Sequence, residues 1–141
     1  MAELATGHLK GVTNGAALVL GSGLGGGIII NGKLFQGSHF QAGELTFLLP
    51  LQMEKLDPSL MQETTLSAIG LITKVNEILA SLDLKDGLLA FKAINAKKEA
   101  VYPIFETYCR NLAITILNLQ TIFDMETFVL EIGRASCRER V

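Results

Sequence analysis

Seven consecutive residues in the first third of the chain could bind phosphate. The segment from Gly21 to Gly27, GSGLGGG, contains five glycines and one serine. Because glycine has no Cβ, its backbone N–H groups can approach polyphosphate oxygens closely, and the Ser22 hydroxyl can add a further hydrogen bond. A tight turn between two packed strands explains the same residues, so residue type alone leaves both interpretations open. Five glycines nevertheless exceed what a turn requires.

Two other interpretations of the glycines fail. Gly21, Gly23 and Gly26 match GxGxxG, but a dinucleotide fold requires these glycines to open a helix that faces the pyrophosphate. Here three isoleucines and an Asn-Gly pair follow, which predict a strand and a hairpin. The uncharged stretch 11–32 is also no membrane span, because its apolar parts are only AALVL and III and each glycine costs a helix ~1 kcal/mol.

The first third is predicted to be an antiparallel meander. Ala16–Leu20 forms a buried strand, and Ile28–Ile30 forms a second one after the glycines. Asn31-Gly32 is the strongest short hairpin signal, because a type I′ turn needs positive φ at both central residues. Lys33–Gln36 then supplies the returning strand.

The remainder is predicted to be mainly helical. The run 45–51 reads as a strand broken at Pro50, and Asp57-Pro58 as a helix start. Apolar residues at steps of three and four predict a helix over 66–82, and Asp86 caps a shorter one. The apolar residues of that shorter helix are Leu88, Leu89, Phe91 and Ile94.

The longest helix is predicted over 99–123, with Pro103 tolerated in its first turn. A final strand begins at Thr127 and runs to Leu130. Strands followed by helices and a further strand predict an α/β domain. The residues expected to face inward from the long helix are Val101, Ile104, Phe105, Tyr108, Leu112, Thr115, Leu119 and Ile122.

The composition is that of one globular domain. The 141 residues are 49% apolar and 18% charged, which excludes a disordered chain. The net charge of -2 and the pI near 5.7 speak against a nucleic-acid partner. Cys109 and Cys137 are too few for a disulfide framework, so we expect a reducing, cytoplasmic location, with Cys109 as a small core residue.

Both ends of the chain are unusual. Residues 131–141, EIGRASCRERV, back-translate to a sequencing-adapter sequence, so we expect the native domain to occupy residues 1–130. The first residues open within a helical pattern that has no capping residue. We therefore expect a truncated piece of a longer protein.

Residues 17–47, ALVLGSGLGGGIIINGKLFQGSHFQAGELTF, carry a family pattern. An apolar strand leads to G-T-G-x-G-G-G, then to a strand with N-G-K, and then to G-x-x-x-x-A-G-E, with Ser22 in place of the usual threonine. In these features the chain resembles the C-terminal lobe of the ROK family of sugar kinases and repressors. Weaker similarity extends over residues 1–130.

The resemblance implies an actin-like, RNase H-like lobe in which a glycine hairpin holds the phosphates of ATP. It also implies that Glu44 binds sugar hydroxyls, since a carboxylate accepts two hydrogen bonds from neighbouring hydroxyls. His39 falls where family members often carry a histidine in the loop before A-G-E, which implies that it lines the sugar pocket, although a lone loop histidine is more often a surface residue. The implied phosphate-binding residues are Gly21, Ser22, Gly23, Leu24, Gly25, Gly26, Gly27 and Ile28.

The chain departs from the family pattern after Glu44. Thr46 and Phe47 replace the glycine and histidine of E-x-G-H, and the cysteine-rich zinc motif is missing. Cys109 alone cannot assemble a zinc site, so we expect no zinc and no other bound metal in this chain. The chain is therefore similar to the zinc-less branch that includes β-glucoside kinases.

The implied activity is transfer of the γ-phosphoryl group of ATP to a hydroxyl of glucose, a β-glucoside or a similar hexose. Mg²⁺ would bridge the phosphates, and a catalytic Asp expected upstream of Met1 would take the hydroxyl proton. We therefore expect no catalytic residue within this chain, no activity from it alone, and a homodimeric parent without a membrane partner. The alternative is the effector-binding lobe of a ROK repressor.

Overall fold

The structure is a computed structural model that describes residues 6–48 and 65–132. Within these residues a four-stranded sheet lies against three α-helices, the mixed α/β architecture that the sequence predicts. The strands are β1 (Gly15–Leu20), β2 (Leu24–Ile30), β3 (Lys33–Phe35) and β4 (Thr127–Ile132), and the helices are α1 (Ala68–Ile78), α2 (Gly87–Asn95) and α3 (Tyr102–Phe123).

The sheet has the order β3-β2-β1-β4. β1 pairs antiparallel with β2, and β2 pairs antiparallel with β3, so the predicted meander is confirmed. β4 runs parallel to β1, with Leu20 opposite Ile132. The carboxyl ends of β1 and β4 therefore lie at the same edge of the sheet, where the glycine segment follows β1.

The predicted Asn-Gly hairpin is also confirmed. Asn31 has φ 52° and Gly32 has φ 71°, the two positive values that a type I′ turn requires. The Gly32 amide donates to the Thr13 carbonyl at 2.8 Å, and the Asn31 amide donates to Asn14 Oδ1 at 3.1 Å. These bonds tie the tip of the hairpin to the residues that lead into β1.

The turn between β1 and β2 contains fewer residues of the glycine segment than the sequence predicts. β2 begins at Leu24 rather than at Ile28, because the Leu24 side chain is fully buried and anchors the strand in the core. Gly25, Gly26 and Gly27 then pair with the central residues of β1. Only Gly21, Ser22 and Gly23 remain to form the turn.

The prediction of a strand from Leu45 is wrong over the described part. Leu45–Phe47 is a short 3-10 helix, which follows a turn at Gly43 with φ 91°. Leu45 is buried there against β2, and that contact bends the segment away from an extended path. Residues 49–51 and the predicted helix start at Asp57-Pro58 lie outside the described residues.

Helix α1 lies within the predicted range 66–82 and is shorter than it. The Ser67 hydroxyl caps its start by accepting a hydrogen bond from the Gly70 amide at 2.8 Å. Ala80, with φ 51°, ends the helical path soon after Ile78. Leu82, the last apolar residue of the spacing that predicts this helix, is fully exposed.

Helix α2 begins as predicted, because the Asp86 carboxylate accepts a hydrogen bond from the Leu89 amide at 2.9 Å. The apolar residues of this helix lie mostly at the surface. Ile94 is buried, but Leu88, Leu89 and Phe91 are exposed. The buried positions are otherwise alanines, which let this short helix lie close to its neighbours.

Helix α3 is confirmed, with Pro103 in its first turn. Tyr108 is among its buried residues, but Ile122 is 70% exposed and Cys109 is exposed, so the prediction that these two residues face inward is wrong. Cys109 follows Tyr108 directly, and one residue is about 100° of rotation, which takes its side chain off the inward stripe. The other predicted inward residues are buried or partly buried.

Strand β4 is an edge strand of the described sheet and ends at Ile132. Its last two residues, Glu131 and Ile132, belong to the segment that we expect to be non-native. The origin of residues 131–141 stays a prediction.

Candidate functional site

The candidate phosphate turn is held by the start of helix α1. The Gly21 amide donates to the Gly23 carbonyl at 3.0 Å and closes the turn. The Gly21 carbonyl accepts hydrogen bonds from the Ala68 amide at 2.9 Å and the Ile69 amide at 3.3 Å. The first N–H groups of a helix have no acceptor within the helix. Two such groups of α1 bond to Gly21 and thereby fix the position of the hairpin.

The outer part of this turn is open. Ser22 is exposed, and within residues 6–48 and 65–132 the amides of Ser22 and Gly23 have no hydrogen-bond acceptor. A Cβ added to Gly21 would meet no atom within 4 Å. The described structure therefore leaves space beside Gly21 and N–H donors next to it, which is the arrangement that an anion such as a phosphate group requires.

The remaining predicted phosphate-binding residues lie in β2. The side chains of Leu24 and Ile28 are buried in the core, so they could contact a ligand only through the main chain. Their main-chain groups already have partners, since Leu24 bonds to Thr46 and Ile28 pairs with Ala16 and Phe35. Leu24 and Ile28 therefore offer fewer open main-chain donors than Ser22 and Gly23 of the turn.

The three glycines of β2 do not have the same surroundings. A Cβ on Gly25 or Gly27 would make ordinary contacts of 3.7 Å or more with neighbouring atoms. A Cβ on Gly26 would lie 2.7 Å from Leu45 Cδ1 and 3.0 Å from the Gly43 carbonyl oxygen. Gly26 is thus required by the packing of the Glu44 loop against β2.

Glu44 is presented by a loop that rests on β2. Gly43 has φ 91°, and a Cβ there would lie 2.8 Å from the Gly26 carbonyl oxygen. Glu44 follows as the residue before the 3-10 helix, but its carboxylate makes no capping hydrogen bond. The side chain is exposed and is available to a polar ligand.

The structure does not bring His39 together with Glu44 through any described contact. His39 is exposed in the loop that the Ala42 amide closes by donating to the Gln36 carbonyl at 3.3 Å. No hydrogen bond or ion pair joins His39 to another described residue. A role for His39 in a pocket stays a prediction.

Thr46, which in the sequence is only a departure from the family pattern, has a structural role beside the site. The Thr46 hydroxyl donates to the Leu24 carbonyl and accepts from the Leu24 amide, both at 3.1 Å. Thr46 thus fastens the Glu44 loop to the first residue after the turn. Nothing in the sequence signals this pairing, because the two residues are 22 positions apart.

A groove of about 590 Å³ runs between α1 and α3 and includes Ser67, whose hydroxyl lies 3.5 Å from the Gly21 carbonyl. Tyr108 lines it and donates to the Leu66 carbonyl at 3.1 Å. Burial, with a smaller effect of Cys109, raises the pKa of Tyr108 to about 12, so its hydroxyl remains a donor at neutral pH. Tyr108 thereby anchors the segment that enters α1.

Residues 1–135 match the ROK family. The chain belongs to the ROK family. The expected family and its actin-like α/β fold are thus confirmed, and the glycine hairpin and the Glu44 loop that carried the resemblance are in direct contact.

The chain is also similar to individual ROK proteins. The chain is 28% identical over 133 residues to a β-glucoside kinase of Klebsiella pneumoniae, covering 92% of this chain and 44% of that protein. A ROK protein of Streptococcus pneumoniae TIGR4, solved in complex with sucrose, is 30% identical with a TM-score of 0.75 and coverages of 87% and 42%. A ROK glucokinase of Streptomyces griseus, solved with glucose and AMPPNP, shares the fold at 19% identity with a TM-score of 0.73 and coverages of 94% and 48%.

The fold is not restricted to ROK kinases. A ROK transcriptional regulator, a homologue of the E. coli MLC protein, has a TM-score of 0.70 at 21% identity, with coverages of 92% and 35%. The chain spans less than half the length of each of these four proteins.

The described residues contain neither a helix that could span a membrane nor a cluster of metal-ligating side chains. No helix in residues 6–48 and 65–132 has the length and apolarity to cross a bilayer. Over the same ranges, no three His, Cys, Asp or Glu side chains are grouped as a metal ion would need.

Proposed function

We propose that this chain is part of an ATP-dependent carbohydrate kinase and supplies its contacts to the ATP phosphates and to the sugar. The observation that carries the proposal is the open turn Gly21–Gly23 at the start of the strand on which the Glu44 loop rests. The similarity to a β-glucoside kinase and the sugar-bound and nucleotide-bound ROK structures support it.

The turn is suited to phosphate because it binds through the main chain. The Ser22 and Gly23 amides and the Ser22 hydroxyl supply donors, and Gly21 leaves room for phosphate oxygens. These donors require no lysine, which fits a loop without a basic residue. We propose that Gly21, Ser22 and Gly23 make the main contacts to the nucleotide phosphates. Residues 24–28 would contact the phosphates only through their main-chain atoms.

Glu44 is suited to a sugar because its carboxylate is a charged acceptor. Among the described residues, it makes no capping hydrogen bond that would occupy it. A carboxylate that accepts hydrogen bonds from two neighbouring hydroxyls orients the sugar and discriminates against analogues that lack them. His39 would line the same pocket when a sugar is bound.

The reaction would be in-line transfer of the γ-phosphoryl group to a sugar hydroxyl. The Mg²⁺ that accompanies ATP would neutralise charge on the phosphates. Residues of this chain would hold the two substrates in position, and we assign no general base to the described residues. The parent protein would be a cytoplasmic homodimer acting on glucose, a β-glucoside or a similar hexose.

The second candidate function is the effector-binding lobe of a ROK repressor, and the regulator with the same fold is the observation that favours it. In such a protein Glu44 would bind a sugar effector, but no phosphoryl transfer would follow. Sugar-dependent release of DNA by the full-length protein would distinguish this function from a kinase.

The kinase proposal is tested with the full reading frame that contains this chain. We expect purified full-length protein to release ADP from ATP only when glucose or a β-glucoside is present, and this chain alone to release none above background. A coupled assay of ADP release measures both. Full-length protein that leaves ATP intact with every hexose and β-glucoside offered, or this chain turning over by itself, would contradict the proposal.

A further inference from the structure

The Thr46 hydroxyl supplies hydrogen-bond partners to the first residue of β2, where β3 does not reach. β3 pairs with β2 only from Ile28 to Ile30, so nothing from β3 reaches Leu24. The main-chain amide and carbonyl of Leu24 bond instead to Thr46, each at 3.1 Å. A single hydroxyl thereby acts as both acceptor and donor, as a neighbouring strand would.

The same loop is held to β2 at a second place by packing. Leu45 is buried, and its Cδ1 lies in the space that a side chain on Gly26 would occupy. The Gly43 carbonyl also lies close to Gly26. These contacts set how closely the loop packs against β2. The Thr46 hydroxyl sets the position of the loop along the strand.

The two ligand-binding groups of the proposed site are thus connected through one hydroxyl. Leu24 directly follows Gly23, the last residue of the phosphate turn, and Thr46 lies two positions after Glu44. Movement of the loop along β2 would change the distance between the turn and the Glu44 carboxylate. Phosphoryl transfer depends strongly on such positioning.

We propose that Thr46 is a positioning residue that sets the distance between the nucleotide turn and Glu44. The proposal rests on the proposed kinase function and adds the residue that keeps its two substrates in register. It assigns a specific structural role to the position at which this chain departs from E-x-G-H. Without the hydroxyl, the hairpin and the loop would still fold but would no longer hold one fixed separation.

The test compares side chains that differ in the hydroxyl group. Thr46→Val keeps the shape and removes the hydroxyl, Thr46→Ser keeps the hydroxyl, and Thr46→Ala is a second hydroxyl-free variant if valine prevents folding. Thr121→Val is the matched control, because the Thr121 hydroxyl also donates to a main-chain carbonyl, that of Leu117 at 2.9 Å, on the exposed surface of α3.

Steady-state kinetics of the full-length protein give the first readout. We expect Thr46→Val to lower kcat/KM for both ATP and sugar by roughly tenfold, the effect of losing two ordinary hydrogen bonds. Thr46→Ser and Thr121→Val should stay within about twofold of the parent protein. Unchanged kcat/KM in Thr46→Val, or equal losses in Thr46→Ser or Thr121→Val, would overturn the proposal.

Amide hydrogen exchange gives a readout that does not depend on activity. We expect the Leu24 amide to exchange roughly tenfold faster in Thr46→Val, with α3 amides unchanged. Equal exchange at Leu24 in the parent and in Thr46→Val would refute the role of the hydroxyl even in an active kinase. Full-length protein that lacks sugar-dependent ADP release refutes the kinase function, and exchange at Leu24 then decides separately whether Thr46 holds the hairpin.

Discussion

Replacing Glu44 by glutamine is expected to lower kcat/KM for the sugar by roughly a hundredfold in the full-length protein, because two charge-assisted hydrogen bonds to sugar hydroxyls are weakened. Glutamine keeps the length of the side chain but presents one acceptor and one donor instead of two acceptors. Since Glu44 is exposed and its carboxylate makes no capping hydrogen bond, the substitution should not disturb folding. Coupled ADP-release kinetics with varied sugar measure the effect.

The matched control for Glu44→Gln is Glu99→Gln. Glu99 is also exposed, and it lies in the turn before α3, outside the sheet and far from the glycine hairpin in sequence. We expect this control to retain the parent kcat/KM. A Glu44→Gln protein that keeps more than half of the parent kcat/KM would remove Glu44 from the sugar site.

Replacing Gly26 by alanine is expected to lower the free energy of unfolding by about 3 kcal/mol, the upper part of the range for overpacking a filled site. The new Cβ would lie 2.7 Å from Leu45 Cδ1, 3.0 Å from the Gly43 oxygen and 3.1 Å from the Ala17 oxygen. Two of these three atoms belong to the backbone and cannot rotate away. Urea denaturation followed by circular dichroism measures the change.

Gly25→Ala is the control for Gly26→Ala, because its Cβ would meet the nearest atoms, both of Val19, at 3.8 and 3.9 Å. We expect a change of less than about 1 kcal/mol, of either sign, since alanine also restricts the unfolded chain. Equal stability losses in the two variants would show that the glycines act through backbone flexibility and not through the packing of the Glu44 loop.

Features determined by neighbouring residues were predictable from the sequence. The Asn31-Gly32 turn, the Asp86 cap and Pro103 in the first turn of α3 each depend on backbone geometry within a few residues. Apart from the strand predicted from Leu45, the order of the described strands and helices followed from the same local signals. The predicted meander is therefore the one observed.

Features determined by distant contacts were not predictable. The start of β2 at Leu24 depends on burial of Leu24 and on Thr46, which lies in another element. The 3-10 helix at Leu45 depends on its contact with Gly26, and no periodicity in LTFLLPL reveals that contact. The exposure of Cys109 was not predictable for the same reason, because the direction of its side chain depends on how α3 is rotated against the sheet.

In the candidate site, too, residue types were predictable from the sequence and contacts between distant residues were not. The residue types of the glycine segment and Glu44 indicated phosphate and sugar chemistry, and the family resemblance connected the two. The sequence could not reveal that Gly43 rests on Gly26 or that the amides of Ser22 and Gly23 are left without an acceptor among the described residues. Those facts arise from the approach of two backbones, which leaves no signal in side-chain patterns.

The most direct test of the phosphate turn is an NMR titration of ¹⁵N-labelled full-length protein with Mg²⁺ and AMPPNP. We predict that the amides of Ser22 and Gly23 show the largest shifts, while the amide of Gly32 in the opposite hairpin does not move. Saturable nucleotide binding that leaves Ser22 and Gly23 unshifted would contradict the account.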